Sequence, residues 1–276
     1  MLNVNFDVVI GNPPYLKNIH LDFALRALSV ASEVKLVHPA GWLFRNSRKE
    51  ENAIKEALRG RVKRVSILNG NATFTGAEFG CPLVITEAVS SHRGPIELVY
   101  RTNGNRYLLN SLDDMPTGFW EPTEINLKLV TKFKELSATK SLDQLLVKYN
   151  EDIEYPLSTP RVCGHQIKKE DKLVSYDFHT LFYRRSKIDV LNTSNKVFRL
   201  ESQEERESLI SYMKTKVARF GLAITKISQD SHISRYLKYI PVPPLNRIWS
   251  EEDIYKYYCL TPEEIEGIEQ LIPDYY

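Results

Sequence analysis

The fold is decided near the start of the chain by the stretch FDVVIGNPPY, at residues 6–15. Its first half is an apolar, β-branched run, Phe6–Ile10, which predicts a buried β-strand. A glycine ends that run, and the segment NPPY, residues 12–15, follows it. A proline fixes its own φ, and the residue before a proline is kept out of the helical region. The sequence therefore predicts a strand that leads directly into a stiff, extended loop.

The next hundred or so residues alternate between helical and strand patterns. In chain order they predict a helix at His20–Glu33, a strand at Val34–Val37, a helix from Ser47 to Leu58, and strands at Val62–Leu68, Pro82–Ala88 and Ile96–Tyr100. The turn at residues 94–95 predicts a hairpin between the last two strands. This alternation predicts an α/β fold, with a partial, doubly wound parallel sheet and an antiparallel hairpin at its edge. Ligands bind beyond the carboxyl ends of such strands, where residues 12–15 lie.

The remainder of the chain differs in character. Its predicted elements are a helix at Thr123–Ser137, mixed and mostly β structure at Arg161–Leu200, one long helix or two with a break at Gly221 over Glu201–Ile227, an extended segment at Ile240–Ile248, and two short helices capped by Ser250 and Thr261. This change predicts a boundary between residues 116 and 160. We expect one domain at residues 1–120 and a second, α+β region with C-terminal helices at residues 121–276.

Composition is that of an ordinary soluble globular protein. The chain has 276 residues, 42% of them hydrophobic and 26% charged, with a formal net charge of +2. The sequence contains no apolar run long enough to span a membrane and no signal-peptide pattern, so we expect a cytoplasmic protein without a membrane partner. The cysteines, Cys81, Cys163 and Cys259, are too far apart to predict a disulfide framework or a zinc site. No metal is expected.

The NPPY segment has the groups that amine chemistry on a nucleobase requires. The exocyclic amine of adenine is a poor nucleophile because its lone pair is delocalised into the ring. Two acceptors for its hydrogens, here the side-chain oxygen of Asn12 and the backbone carbonyl of Pro13, favour a nitrogen whose lone pair is available. The prolines hold that carbonyl in one direction. A base that has left the duplex stacks on Tyr15, which is worth about 1–3 kcal/mol. The alternative interpretation is a Pro-Pro turn after a strand.

The whole stretch at residues 6–15 resembles the catalytic motif of amino-methyltransferases that use S-adenosylmethionine. That motif also occurs in protein-glutamine and RNA-guanine methyltransferases, so by itself it does not name the target. Further segments resemble N6-adenine DNA methyltransferases of restriction–modification systems, the Eco57I-like type: VKLVHPAGWLF at residues 34–44, FTG at 74–76, GCPLVI at 80–85 and the tail at 249–269. The resemblance implies a Rossmann-like methyltransferase fold, a flipped adenine as substrate and double-stranded DNA as partner.

The resemblance also implies roles for individual residues. It makes residues 12–15, which include Pro14, the catalytic loop, and it makes Asn12 a cofactor-binding residue as well. The family uses an aromatic residue from the late strands to sandwich the flipped base; Phe79 is the candidate, and Phe74 is the alternative. Phe23 is a candidate for contact with the adenosine part of S-adenosylmethionine, and a core position is the other interpretation.

The sequence departs from the family where the cofactor should bind. In the family a glycine-rich strand–turn–helix precedes the NPPY segment, whereas eleven residues precede Asn12 here. The nearest candidate, LNGNA at residues 68–72, is more typical of an ordinary turn. Three explanations stay open: the cofactor-binding motif lies on a partner subunit, the chain is a decayed remnant, or it recognises DNA without catalysis. A sheet without its first strands would expose an apolar edge at Phe6–Ile10, which favours a partner subunit or a homo-oligomer.

Basic residues are frequent between Arg161 and Lys238, in the predicted second domain. Phosphate contacts need lysine and arginine, and contacts to base edges need arginine, asparagine or glutamine. The candidates for DNA contact are Arg184, Arg185, Lys187, Lys214 and Arg219. The sequence thus supports two functions: a component of an adenine-specific DNA methyltransferase, or a protein that binds DNA or a methyltransferase partner without catalysis.

Overall fold

The computed structural model describes residues 5–44, 49–74, 79–118, 120–148, 152–158, 161–169, 172–183, 196–227, 230–232, 236–272 and 274. The chain divides into two compact units, one with Met1–Thr117 and Ile167–Tyr176 and the other with Gly118–Gln166 and Asp177–Tyr276. The main division lies close to the boundary expected at residue 120, but Ile167–Tyr176 groups with the first unit. Within the described part of the chain, none of the helices has the length and apolar character needed to cross a membrane.

The first unit is a six-stranded sheet with helices. Its elements are β1 (Phe6–Gly11), α1 (Ile19–Val30), β2 (Ala31–Pro39), α2 (Gly41–Phe44), α3 (Lys49–Leu58), β3 (Val62–Leu68), α4 (Gly70–Thr73), β4 (Leu83–Val89), β5 (Ile96–Tyr100) and β6 (Arg106–Leu109). The α/β fold is confirmed. β3 and β5 have the bounds that the sequence predicts, and β1 is longer by one residue.

The strand order in this sheet is β1-β2-β4-β3-β5-β6. β1 is parallel to β2 and β3 is parallel to β5, whereas β4 runs antiparallel to both β2 and β3, and β6 runs antiparallel to β5. The hairpin predicted between residues 82–88 and 96–100 is therefore wrong. β4 lies between β2 and β3 because it hydrogen-bonds along both of its edges there, which a terminal hairpin would not allow. The hairpin at the edge of the sheet is formed by β5 and β6.

Helix α1 ends earlier than the sequence predicts. It stops at Val30, and β2 begins at the next residue. The predicted extension to Glu33 takes in residues that instead pair with β1, where Ala31 is the partner of Phe6 and Glu33 is the partner of Val8. Pairing with β1 thus lengthens β2 to nine residues.

The two faces of the sheet differ in polarity. One face is apolar and buried, with side chains that include Val34, Leu36, Val65 and Leu98. The other face carries alternating charges from β2 to β6. Its ion pairs join Lys35 to Glu33 and Glu87, Arg64 to Glu87 and Glu97, and Arg106 to Glu97, at 2.5–3.9 Å. These side chains are in contact with water, so each pair adds only about 0–1 kcal/mol of stability.

Strand β1 lies at an edge of the described sheet, where its single neighbour is β2. Phe6, Val8 and Ile10 point to one side and are 51%, 44% and 76% exposed. Edge strands usually carry charges or prolines that prevent further pairing, and an apolar run is typical of a strand inside a parallel sheet. The expectation of an exposed apolar edge at Phe6–Ile10 is confirmed.

The strand directions bring several loops to one edge of the sheet. β1, β2 and β3 all run the same way, so their carboxyl ends meet there together with the beginning of β4. The segments at this edge are residues 12–15, 40–44, 69–74 and 79–82. The backbone N–H of Ala40 donates to the carbonyl of Pro82 at 2.9 Å and ties two of these segments together. The NPPY loop therefore lies where the loops of the sheet converge.

Beyond residue 118 the chain forms helices and two small sheets. The elements are α5 (Glu124–Thr139), β7 (Leu146–Lys148), β8 (Leu157–Ser158), β9 (Arg161–Lys169), β10 (Lys172–Tyr183), β11 (Lys196–Phe198), α6 (Gln203–Lys214), α7 (Lys216–Ala223), β12 (Asp230–His232), α8 (Glu251–Tyr257) and α9 (Pro262–Leu271). The sheets have the orders β10-β9-β12 and β7-β11-β8. The predicted caps at Ser250 and Thr261 are confirmed, since each side chain accepts a backbone N–H of the first turn.

The long helical pattern of the second unit breaks at Thr215 and not at Gly221. Thr215 has an extended backbone, and its hydroxyl accepts the backbone N–H of Ala218, which caps the start of α7. Gly221 lies within α7, and a Cβ there would be 2.7 Å from the carbonyl oxygen of Tyr239. The glycine therefore permits close packing of the helix and does not end it.

Candidate active site

The NPPY loop is anchored by one proline and presents its amide to solvent. Pro13 is buried, whereas Asn12 and Pro14 are exposed and Tyr15 is half-buried. The Tyr15 hydroxyl donates to Oδ1 of Asn12 at 2.5 Å. Directly after Tyr15 the chain turns into a short 3-10 helix, Leu16–Asn18. The loop thus fixes an exposed amide group at the carboxyl edge of the sheet.

Burial keeps the Tyr15 hydroxyl a hydrogen-bond donor. Desolvation raises the pKa of Tyr15 above its usual value, and the neighbouring Cys81 raises that pKa further. The hydroxyl is therefore protonated at neutral pH. An amide oxygen has two lone pairs, so Oδ1 of Asn12 can accept from Tyr15 and from a ligand at the same time.

Two phenylalanines lie near this loop. The ring of Phe79 is next to that of Tyr15, with 6.0 Å between centroids and 56° between planes. Phe74 contacts Phe79, at 5.9 Å between centroids. Both phenylalanines are half-buried. The structure thus pairs Phe79 with Tyr15 and places Phe74 in the same aromatic group.

A buried group of rings also supports Tyr15, and the sequence analysis does not anticipate it. His20 contacts Tyr15 edge to face at 6.2 Å, and His38 lies 5.8 Å from His20. His38 stacks on Trp42 at 5.5 Å, and its Nε2 lies 2.9 Å from the hydroxyl oxygen of Thr86. The available signal is that His38 alternates with buried apolar residues along β2, which predicts an inward-facing imidazole.

Burial keeps both histidines neutral. It lowers the pKa of His20 to about 4, against the opposing effect of Asp22. Burial lowers the pKa of His38 to about 3, and the neighbouring His20 adds to that effect. At pH 7 both rings are therefore uncharged and act in packing and hydrogen bonding.

The described residues do not fit S-adenosylmethionine. The segment at residues 68–72 forms the end of β3 and the start of α4, a helix of only four residues. Phe23 lies on α1 and is 53% exposed, so the core interpretation of this residue is wrong. Among the residues that the structure describes, no group of His, Cys, Asp and Glu side chains is placed to hold a metal ion. The described segment at residues 68–72 therefore does not form the glycine-rich turn and long helix that would hold this cofactor.

The candidates for DNA contact are placed differently from one another. Outside the described residues lie Arg184, Arg185 and Lys187. The side chain of Lys214, at the end of α6, is exposed. Arg219 is 0% exposed, and its Nε donates to the backbone oxygen of Lys214 at 3.1 Å. Arg219 as a DNA contact is wrong, because α7 is buried on all sides and a buried guanidinium cannot reach a phosphate.

Comparison with known proteins gives only distant structural likeness. Neither a family model nor a curated protein sequence matches the chain. The type I restriction-modification system methyltransferase subunit from Streptococcus thermophilus aligns with 40% of this chain and 29% of its own, at 19% identity and a TM-score of 0.31. The type IIG restriction endonuclease BpuSI aligns with 94% of this chain and 49% of its own, at 10% identity and a TM-score of 0.35. The chain therefore spans less than half the length of either protein.

Proposed function

We propose that this chain is a component of an adenine-specific DNA methyltransferase of a restriction–modification system. The reaction is transfer of a methyl group from S-adenosylmethionine to N6 of an adenine that has flipped out of duplex DNA. The bond from sulfur to the methyl carbon breaks, S-adenosylhomocysteine leaves, and the amine loses one proton to solvent. The observation that carries the proposal is the exposed Asn12 amide, which the Tyr15 hydroxyl holds at the carboxyl edge of the sheet. Phe79 beside Tyr15 supplies a second ring.

In this proposal the loop prepares the amine of the base. Oδ1 of Asn12 accepts one hydrogen of the amine, and the backbone carbonyl of Pro13 accepts the other. Both bonds favour the form of the amine whose lone pair is available for attack. Burial of Pro13 supports this role, because a loop anchored by that ring keeps its carbonyl in one direction.

The two aromatic rings bind the faces of the base. They now touch each other, with 6.0 Å between the centroids of Tyr15 and Phe79. A base stacked between two rings needs about 3.5 Å on each side, so the rings separate by about 1 Å and turn parallel to admit it. Stacking contributes about 1–3 kcal/mol per base and offsets the cost of flipping the base.

The cofactor-binding motif belongs, in this proposal, to a partner subunit. A strand of that subunit pairs with β1 and covers Phe6, Val8 and Ile10, which are exposed in this chain. Asn12 follows β1 directly, so residues of the partner at this edge would lie next to the amine. A homo-oligomer would use the same edge strand. Duplex DNA binds to the second unit, where Lys214 is exposed.

The second candidate function is recognition of DNA or of a methyltransferase partner without catalysis. The observation that favours it concerns the described segment after β3, which the sequence makes the nearest candidate for a cofactor-binding turn. This segment has one glycine, Gly70, and leads into α4, a helix of only four residues. The intact NPPY loop, with its Asn12–Tyr15 hydrogen bond, favours the enzyme.

A methyl-transfer assay separates the two functions. The chain is incubated with tritiated S-adenosylmethionine and unmethylated duplex DNA, alone and with the product of the adjacent gene, and the labelled nucleoside is identified by mass spectrometry. We expect N6-methyladenine with the partner present, and loss of label by at least about 100-fold in the Asn12→Ala variant. Intact DNA binding without transfer in either mixture would leave only the second function.

A further inference from the structure

Gly70 begins α4 and lies directly against the ring of Phe79. A Cβ at Gly70 would be 2.7 Å from Cδ2 and 2.9 Å from Cγ of that ring, and 3.0 Å from Cδ1 of Leu83. Carbon atoms in contact are about 3.5–4.0 Å apart. A side chain larger than hydrogen therefore does not fit at this position unless the ring of Phe79 moves.

The backbone gives no reason for a glycine at this position. The φ of Gly70 is outside the left-handed region, in contrast to Gly60 at +68° and Gly104 at +81°. In a helix, alanine is more favourable than glycine. An alanine at position 70 is therefore opposed mainly by the ring of Phe79, with the side chain of Leu83 as a second and longer contact, and not by the conformation of the chain.

The position of this ring matters because it contacts Tyr15. The Phe79 ring lies 6.0 Å from Tyr15 and 5.9 Å from Phe74. Since it already touches the backbone at Gly70, it has no room to move toward α4 when a base enters. When a base enters, the ring of Phe79 then stays in place, and the ring of Tyr15 moves to make room.

We propose that Gly70 is a positioning residue, whose missing side chain lets the Phe79 ring rest on α4, so that movement of Tyr15 alone opens the space that a flipped adenine needs. This inference rests on the proposed function for its consequence in methyl transfer. The contact between Gly70 and Phe79 is independent of that function and can be measured without it.

The chain offers a matched control. Gly80 follows Phe79 in the same loop, and a Cβ at Gly80 would meet nothing within 4 Å. Neither glycine has a left-handed backbone. Gly70→Ala and Gly80→Ala thus add the same methyl group to nearby positions, one against the ring and one in open space.

The first test is a double-mutant cycle on thermal unfolding of the full chain. Gly70→Ala is expected to lower the melting temperature by about 2–10 °C, since forcing a methyl group into a packed site is destabilising. In the Phe79→Ala background the same substitution is expected to change the melting temperature by less than about 2 °C, because the ring is gone and only the end of the Leu83 side chain remains close to the added methyl group. Gly80→Ala is expected to change it by less than about 1 °C.

The second test measures methyl transfer under the conditions in which the wild-type chain is active. Gly70→Ala is expected to lower the rate at saturating DNA by about 10–100-fold, because displacement of a group by about 1 Å has effects of this size. The DNA concentration for half-maximal rate is expected to stay within about twofold, since most DNA contacts are made elsewhere. In the Phe79→Ala background the further loss is expected to be below about threefold.

The outcomes that would overturn the inference differ from those that would overturn the proposed function. An equal effect of Gly70→Ala with and without the Phe79 ring, in either test, would show that Gly70 does not act through Phe79. If Gly70→Ala does not fold, folding of the Gly70→Ala/Phe79→Ala double variant supports the inference, and failure of both overturns it. If the wild-type chain transfers no methyl group, the proposed function fails while the unfolding cycle still decides the contact.

Discussion

The hydrogen bond from Tyr15 to Asn12 gives the tyrosine two separable contributions. In the proposed reaction its ring stacks on the base, and its hydroxyl orients the Asn12 amide, whose oxygen accepts a hydrogen of the base amine. Because Asn12 is exposed, no packing would otherwise hold its side chain in one rotamer. Because an amide oxygen has two lone pairs, the hydroxyl need not leave when the base enters.

We therefore predict that Tyr15→Phe, which keeps the ring, lowers the rate of methyl transfer by about 2–12-fold, the value of one hydrogen bond. Tyr15→Leu removes the ring as well and is expected to lower the rate by a further factor of about 5–160. DNA affinity should not change in either variant. A Tyr15→Phe variant faster than the wild type would mean that the hydroxyl competes with the base for Oδ1 of Asn12.

At the scale of elements, the sequence of β1 does not match its position. Its apolar run is typical of a strand inside a sheet, whereas β1 lies at an edge of the described sheet. Its partner in the described sheet is β2. The opposite edge strand, β6, carries Arg106, and its exposed Leu108 stands alone. Three exposed apolar side chains at alternate positions, Phe6, Val8 and Ile10, are the reason for proposing that β1 is the edge that associates with another polypeptide.

Ile10→Lys tests this association. Because Ile10 is 76% exposed, the free energy of unfolding of the chain alone should change by less than about 0.5 kcal/mol. Association with the partner subunit, or with a second copy, should weaken by at least about 100-fold, because the charge would be buried without a counter-ion. Sedimentation velocity measures both cases.

The matched control is Leu108→Lys, on β6, where the side chain is 74% exposed. This variant should associate like the wild type. Equal weakening by both variants would indicate a general effect of charge, and no weakening by Ile10→Lys would remove β1 from the interface.

The sequence predicts single elements of this fold better than their arrangement. The β-branched runs at β1 and β3 and the caps at Ser250 and Thr261 are local signals, and they hold in the structure. The place of β4 between β2 and β3 depends on pairing across many residues, which no local pattern contains. The same limit applies to the candidate site. The motif at residues 12–15 predicts the loop from the sequence, whereas no sequence pattern predicts the contact of Gly70 with Phe79, because folding brings the two residues together.

At the scale of the whole molecule, we propose that the first unit carries out the chemistry on the base and that the second unit binds the duplex. Asn12 and the aromatic rings belong to the first unit, and Lys214 belongs to the second. Base chemistry and DNA affinity should therefore be lost by different substitutions. Burial of Arg219 narrows the described DNA-contact candidates to Lys214.

We predict that Asn12→Ala abolishes methyl transfer while DNA affinity stays within about twofold, since base-edge and phosphate contacts determine affinity.

Lys214→Ala should weaken binding of duplex DNA and reduce the slope of log affinity against log salt by about 1, the loss of one phosphate contact. Lys256→Ala is the control, because Lys256 is an exposed lysine of α8, in the same unit, outside the predicted group. Fluorescence anisotropy at several salt concentrations gives these slopes. An unchanged slope for Lys214→Ala would show that this lysine does not touch a phosphate.

A loss of affinity above about tenfold for Asn12→Ala would mean that the NPPY loop binds the duplex itself, since hydrogen bonds to one flipped base contribute to the reaction more than to binding.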